Sequence, residues 1–88
     1  MSTMKTYVYS VYDDKMKAYL QPFFQSTDAA AIRAVRTCVA DSSHLFCMHA
    51  ADYSLFRIGS FDENTGVIEG ETIANLGNLL QWKMVEGE

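Results

Sequence analysis

Residues 6–13 read TYVYSVYD, and residues 26–40 read STDAAAIRAVRTCVA. The first run is rich in aromatic and β-branched side chains, which fit a pleated strand; alternation puts Tyr7, Tyr9 and Val11 on one face and Val8, Ser10 and Tyr12 on the other. In the second, Ser26, Thr27 and Asp28 are N-cap candidates ahead of an alanine-rich stretch, and Asp28 also complements the helix dipole. The spacing predicts a helix over 28–40. Ala31, Ile32, Val35, Cys38 and Val39 form its apolar stripe, which turns Arg33, Arg36 and Thr37 toward water. A strand with apolar groups on both faces, followed by a helix with a single apolar face, places the chain in the α+β class.

Asp13 to Lys17 reads as a hairpin loop, and Ala18 to Gln21 as the returning strand, which Pro22 ends. Asp41-Ser42-Ser43 stops the helix, and residues 42–52 read as a loop with one short turn. Ser54 to Phe61 is a third strand. Residues 62–66 form a second hairpin loop, in which Gly66 supplies a positive φ, and Val67 to Glu69 return as the fourth strand. Ile73, Leu76 and Leu80 keep helical spacing despite Gly70 and Gly77, so a short C-terminal helix is expected there. The expected architecture is a four-stranded antiparallel sheet in ββαββ order, with one main helix packed on one face.

A chain of 88 residues is sufficient for one small domain, here residues 1–88 with a loose N-terminus at 1–5 and an acidic tail at 83–88. The hydrophobic fraction of 49% and charged fraction of 20% are those of a folding chain, which excludes disorder. No apolar run approaches the roughly 20 residues that span a bilayer, so no membrane association is expected. The net charge of −4 argues against a nucleic-acid binder that relies on an overall positive field. The charge is unevenly spread, however: residues 1–40 sum to +2 and residues 41–88 to −6.

Cys38, His44, Cys47 and His49 lie close together, but their spacing matches no usual zinc pattern, and Cys38 is better explained as a small residue on the buried stripe. No orienting group or oxyanion-type glycine turn accompanies either cysteine. The pairs Asp13-Asp14 and Asp62-Glu63 fall in hairpin loops, where carboxylates are turn formers. The glycines are scattered singly, with no phosphate-cradling loop. The chain is therefore expected to be neither an enzyme nor a cofactor binder. What stands out is the aromatic set: Tyr7, Tyr9, Tyr12, Tyr19, Phe23 and Phe24, then Tyr53, Phe56 and Phe61. One helix covers only one face of a sheet, so the second apolar face calls for a partner subunit or for stacked bases of a single strand.

Val11-Tyr12-Asp13 with Lys15, then Ala18-Tyr19-Leu20-Gln21-Pro22-Phe23-Phe24, Ala31-Ile32-Arg33, Asp52-Tyr53-Ser54-Leu55 and Gly59-Ser60-Phe61-Asp62 with Thr65-Gly66 resemble the small nonstructural protein of gokushoviruses, single-stranded DNA phages of the microvirus family. The resemblance covers residues 5–68, and its most specific segments are Tyr-Leu-Gln-Pro-Phe-Phe and Phe-Asp-x-x-Thr-Gly. It implies a nonstructural DNA-binding protein in the cytoplasm of the bacterial host, similar in role to the C protein of the coliphage relatives. That role is the switch from copying double-stranded replicative DNA to making and packaging single-stranded genomes. Joined to the aromatic set and the basic residues read from the sequence, the resemblance leads to the expectation of a homodimer that binds single-stranded DNA, with Tyr7, Tyr9 and Tyr19 stacking on bases and Lys15, Lys17, Arg33, Arg36 and Arg57 holding phosphates. The alternative is a dimeric adaptor that contacts the viral replication initiator or host replication proteins without gripping DNA.

Overall fold

The computed structural model describes residues 5–85. One open antiparallel sheet contains β1 (Lys5–Asp13), β2 (Ala18–Tyr19), β3 (Phe23–Gln25), β4 (Tyr53–Asp62) and β5 (Ile68–Asn78). Among the described residues three helices accompany it, α1 (Asp28–Ala40), α2 (Leu45–Met48) and α3 (Leu79–Val85), with a 3-10 turn at Ala50–Asp52. β1 is central: β4 pairs along its full length, while β2 and β3 share its other edge. The α+β class and the one-helix layer are as expected. The strict ββαββ order and the four-strand count are not, because the second strand is split in two and a short helix lies between α1 and β4; a short helix after β5 is present as expected. The strand at the N-terminus starts at Lys5, and residues 1–4 of the expected loose end lie outside the described residues.

The split has a local cause. Pro22 has no N–H to give to the sheet, so pairing lapses between Tyr19 and Phe23. Within the gap, Leu20 still donates its N–H to the Val11 carbonyl at 2.8 Å. The register on the far side is displaced by one residue: Tyr12 faces Tyr19, but Val8 faces Phe24.

The C-terminal third departs most from expectation. β5 runs to Asn78, well beyond Glu69, and the helix begins only at Leu79. A ten-residue β4 presents backbone groups at Ser54 to Arg57 that need partners, and Asn78 to Ala74 supply them. Ile73, which with Leu76 and Leu80 kept helical spacing, lies instead in β5 and is 53% exposed. Gly77, at φ 143°, lets the chain leave the strand directly into α3; a Cβ there would lie 2.8 Å from the Gln81 side chain. The expected acidic tail at 83–88 divides, since residues 83–85 end α3 and residues 86–88 lie outside the described residues.

The core sits between α1 and one face of the sheet. Ala31, Val35 and Val39 of α1 pack over Tyr9, Val11 and Leu55, and Tyr53, Leu79 and Trp82 close the end. Burying each larger apolar side chain stabilises the fold by about 1.5–3 kcal/mol. The Thr27 hydroxyl accepts the Ala30 N–H at 3.1 Å and caps α1. At the two hairpin loops the expected turn chemistry is present. Asp13 accepts the N–H groups of Lys15 and Met16, and Asp62 accepts that of Asn64, with Gly66 at φ 77°.

Candidate nucleic-acid interface

On the helix-covered face, three of the expected contact residues converge on the start of α1. The Tyr9 hydroxyl donates to Asp28 Oδ1 at 2.7 Å, the Arg57 guanidinium donates to Asp28 Oδ2, and Arg57 lies over the Tyr7 ring, 5.7 Å from its centroid. The Arg57 hydrogen bond holds the Asp28 carboxyl below the usual carboxylate range, assisted by Tyr9 and opposed by partial burial. Burial, and then the hydrogen bond to Asp28, push the Tyr9 hydroxyl well above the ordinary tyrosine range. Tyr9 has no exposed surface, so its ring is closed to any base, and Tyr7 packs partly buried against the core. Arg57 is engaged by Asp28. Tyr9 and Arg57 tie the start of the helix to the sheet, and the closure of Tyr9 corrects its expected role as a stacking ring: a two-residue alternation shows which side chains share a face but not which face the helix takes.

Arg33 and Arg36 lie on the other side of α1 from its buried stripe, around a shallow hollow also lined by Ala29, Ile32 and Thr37. Thr37 donates its hydroxyl to the Arg33 carbonyl. The layer of α1 separates them from the helix-free face of the sheet, so the five expected basic residues do not form one patch within a single chain.

The helix-free face can be read from the register. Its cross-strand rows are Thr6–Phe61–Ile68, Phe24–Val8–Gly59–Gly70, Ser10–Phe56–Asn75 and Tyr19–Tyr12–Ser54–Asn78. None of these positions carries a charge, although the second half of the chain sums to −6. The rings form two clusters. Tyr12 and Tyr19 meet edge-on at 4.8 Å, and Phe56 lies 5.7 Å from Tyr19 and 6.4 Å from Tyr12. Phe24 and Phe61 meet edge-on at 5.6 Å. Val8 and Ser10 are nearly closed to solvent, and Ser10 donates its hydroxyl to the Leu20 carbonyl. The face thus partly covers itself with its own rings. Tyr19 and Phe24 nevertheless each keep 45% of their surface exposed.

Lys15 and Lys17 project from the turn that joins Tyr12 to Tyr19, at the end of this face. Lys17 stands at φ 58° and its ammonium is 3.4 Å from Asp14, an exposed pair that leaves both charges largely solvated. The structure therefore brings Tyr19, Lys15 and Lys17 together. Tyr12, Phe24, Phe56 and Phe61 complete the surface and were not among the expected contacts, although the alternation of Val8, Ser10 and Tyr12 had already placed Tyr12 away from Tyr9.

Elsewhere, His44 Nδ1 accepts the Phe46 N–H and caps α2, a structural use of one of the four residues weighed for zinc. Among the described residues no group of three or more His, Cys, Asp or Glu is placed to hold a metal ion, and no helix is long and apolar enough to cross a membrane. A model of the phage ORF5 protein family matches residues 6–82. The chain belongs to the phage ORF5 protein family. The match spans both hairpins, α1 and α3 up to Trp82, so all the elements that build the aromatic face of this phage ORF5 protein lie within it. No curated protein and no solved structure matches the chain.

Proposed function

We propose that this phage ORF5 protein is a gokushovirus nonstructural protein that binds single-stranded DNA and supports the switch to single-stranded genome synthesis and packaging. Membership of a phage family agrees with this proposal, as does the resemblance described above. The observation that carries it is the helix-free face: exposed Tyr19 and Phe24, backed by further rings, no carboxylate in the paired rows, and two lysines at one end. Bases of a single strand stack on such rings at about 1–3 kcal/mol each, which is how an acidic protein can hold DNA without a strong positive field. Lys15 and Lys17 meet the phosphates, and Arg33 and Arg36 extend the basic surface only in a homodimer that juxtaposes the two sides. The protein acts in the host cytoplasm as a binding protein without catalysis.

The second reading is a dimeric adaptor for the replication initiator or host replication proteins. It is favoured by the exposed Val67, Ile68 and Ile73 beside exposed Glu69 and Glu71, an apolar and acidic combination that suits a protein partner. Fluorescence anisotropy of a labelled thymidine oligonucleotide, titrated at low and physiological salt, separates the two. Saturable binding that weakens with salt is the expected result; absence of binding even at low salt overturns direct DNA recognition and leaves the adaptor.

A further inference from the structure

Tyr19 and Phe24 are five residues apart. In an uninterrupted strand an odd separation sends two side chains to opposite faces, because the period is two. Here both belong to rows of the helix-free face, Tyr19 opposite Tyr12 and Phe24 opposite Val8. The lapse at Leu20–Pro22 makes this so: it adds one residue between the two short strands and inverts the alternation. Extra residues of this kind re-aim side chains, and they recur beside binding sites. The same inversion turns Phe23 inward, where it stacks on Tyr9 at 5.8 Å.

Each of the two exposed rings is held by others. Tyr19 rests edge-on against Tyr12 and Phe56, and Phe24 against Phe61. Their rows are four residues apart on β1, which is about 13 Å at the rise of a strand. That distance equals about four nucleotide steps at the 3.4 Å spacing of a stacked strand, and fewer if the strand is stretched.

We infer that the helix-free face is a two-point site, in which Tyr19 and Phe24 each stack one base of the same single strand, the intervening nucleotides crossing the lapse at Leu20–Pro22. The inference rests on the single-stranded DNA reading and adds to it a ligand length and a second contact point remote from the lysine turn. A ligand too short to reach both rings uses only one. Linking the two contacts in one strand multiplies their effect, as any second intramolecular contact does.

The test is a length series of labelled oligothymidylates, from two to twelve nucleotides, against the parent, Tyr19→Ala and Phe24→Ala, with circular dichroism to confirm folding. Both rings are near half exposed, so both variants are expected to fold. The parent should show a step in affinity between two and about five nucleotides. Tyr19→Ala and Phe24→Ala should each remove the step and weaken binding of the twelve-mer by about 5- to 150-fold, the range of one stacked base. A smooth length dependence, or a Phe24→Ala protein that binds the twelve-mer like the parent while Tyr19→Ala does not, overturns the two-point site and leaves the DNA reading standing. A parent that binds no oligonucleotide of any length overturns both.

Discussion

On the helix-covered face Tyr9 is sealed from solvent with its hydroxyl committed to Asp28; on the bare face Tyr19, ten residues later, leaves 45% of its surface in water and has rings against only part of it. The same residue type thus fills two roles, and the difference lies in what each face has to oppose it. Where α1 supplies Ala31, Val35 and Val39, an aromatic ring becomes core. Where no helix lies, the rings pack on one another, cover Val8 and Ser10, and keep an outward surface. Substitutions on the first face should therefore act on stability, and those on the second on binding.

The largest effect should come from the covered face. Leu55 is fully buried beneath α1, and Leu55→Ala removes its packing and leaves a cavity, at a cost of about 2–5 kcal/mol. In a domain of this size that is a large share of the total stability, so urea denaturation should show a variant close to unfolding in buffer. Tyr19→Ala in the same assay should shift stability by about 1 kcal/mol or less, the loss of edge-on ring contacts at a half-exposed site. Equal losses from the two variants would show that the bare face is as structural as the covered one.

Asp28 joins the covered face to the start of α1, and Asp28→Asn should cost about 1–2 kcal/mol as the links to Arg57 and Tyr9 weaken; both ends of the ion pair are partly exposed, which keeps the figure modest. The pH dependence has a definite sign. The folded carboxyl binds its proton more weakly than the unfolded one, so its contribution is complete above the unfolded pKa of about 4 and is lost as the pH falls through the lower folded value. Thermal melts of the parent between pH 5 and 2 should therefore show an acid decline that is shallower in Asp28→Asn. At the opposite end, Tyr9 has a raised folded pKa, so its contribution is complete below about pH 10 and declines above it.

The local elements could be read from the chain, but not which face of the sheet the helix takes. The helix over 28–40 and the turn carboxylates at Asp13 and Asp62 follow from local chemistry, because capping, periodicity and turn formation involve residues close in sequence. The Tyr9–Asp28–Arg57 cluster was not legible, since it joins residues 19 and 29 positions apart that only the sheet register and the helix start bring together. The length of β5 was missed for a related reason: Ile73, Leu76 and Leu80 satisfy a helical period, and only the unpaired backbone of β4 decides for a strand. For the candidate site, Tyr19, Lys15 and Lys17 could be joined through the hairpin turn. Phe24 could not, because its face depends on the displaced register across Pro22.

Thr27 offers a smaller effect on the covered side. Its hydroxyl caps α1, and Thr27→Ala should cost about 1 kcal/mol without altering oligonucleotide binding, since the residue faces neither ring cluster. A parallel loss of binding and stability would show that the position of α1 controls the bare face, and the two faces could then no longer be treated as separable.

The smallest expected change in stability, below about 0.5 kcal/mol, belongs to the exposed lysines, and it carries the sharpest comparison between the two sides of the molecule. If Lys15 and Lys17 each neutralise one phosphate, replacing both with alanine should reduce the slope of log affinity against log salt by about 1.4, the single-strand value for two contacts. Arg33→Ala, on the far side of α1, should leave that slope unchanged in a monomer. A reduction of about 0.7 from Arg33→Ala, the value for one contact, would place both basic clusters on one bound strand, which the layer of α1 forbids within one chain and only a second copy can provide. Sedimentation of the complex then decides the matter: one chain per oligonucleotide confines the phosphate contacts to the lysine turn, and two chains restore the continuous basic surface through dimerisation.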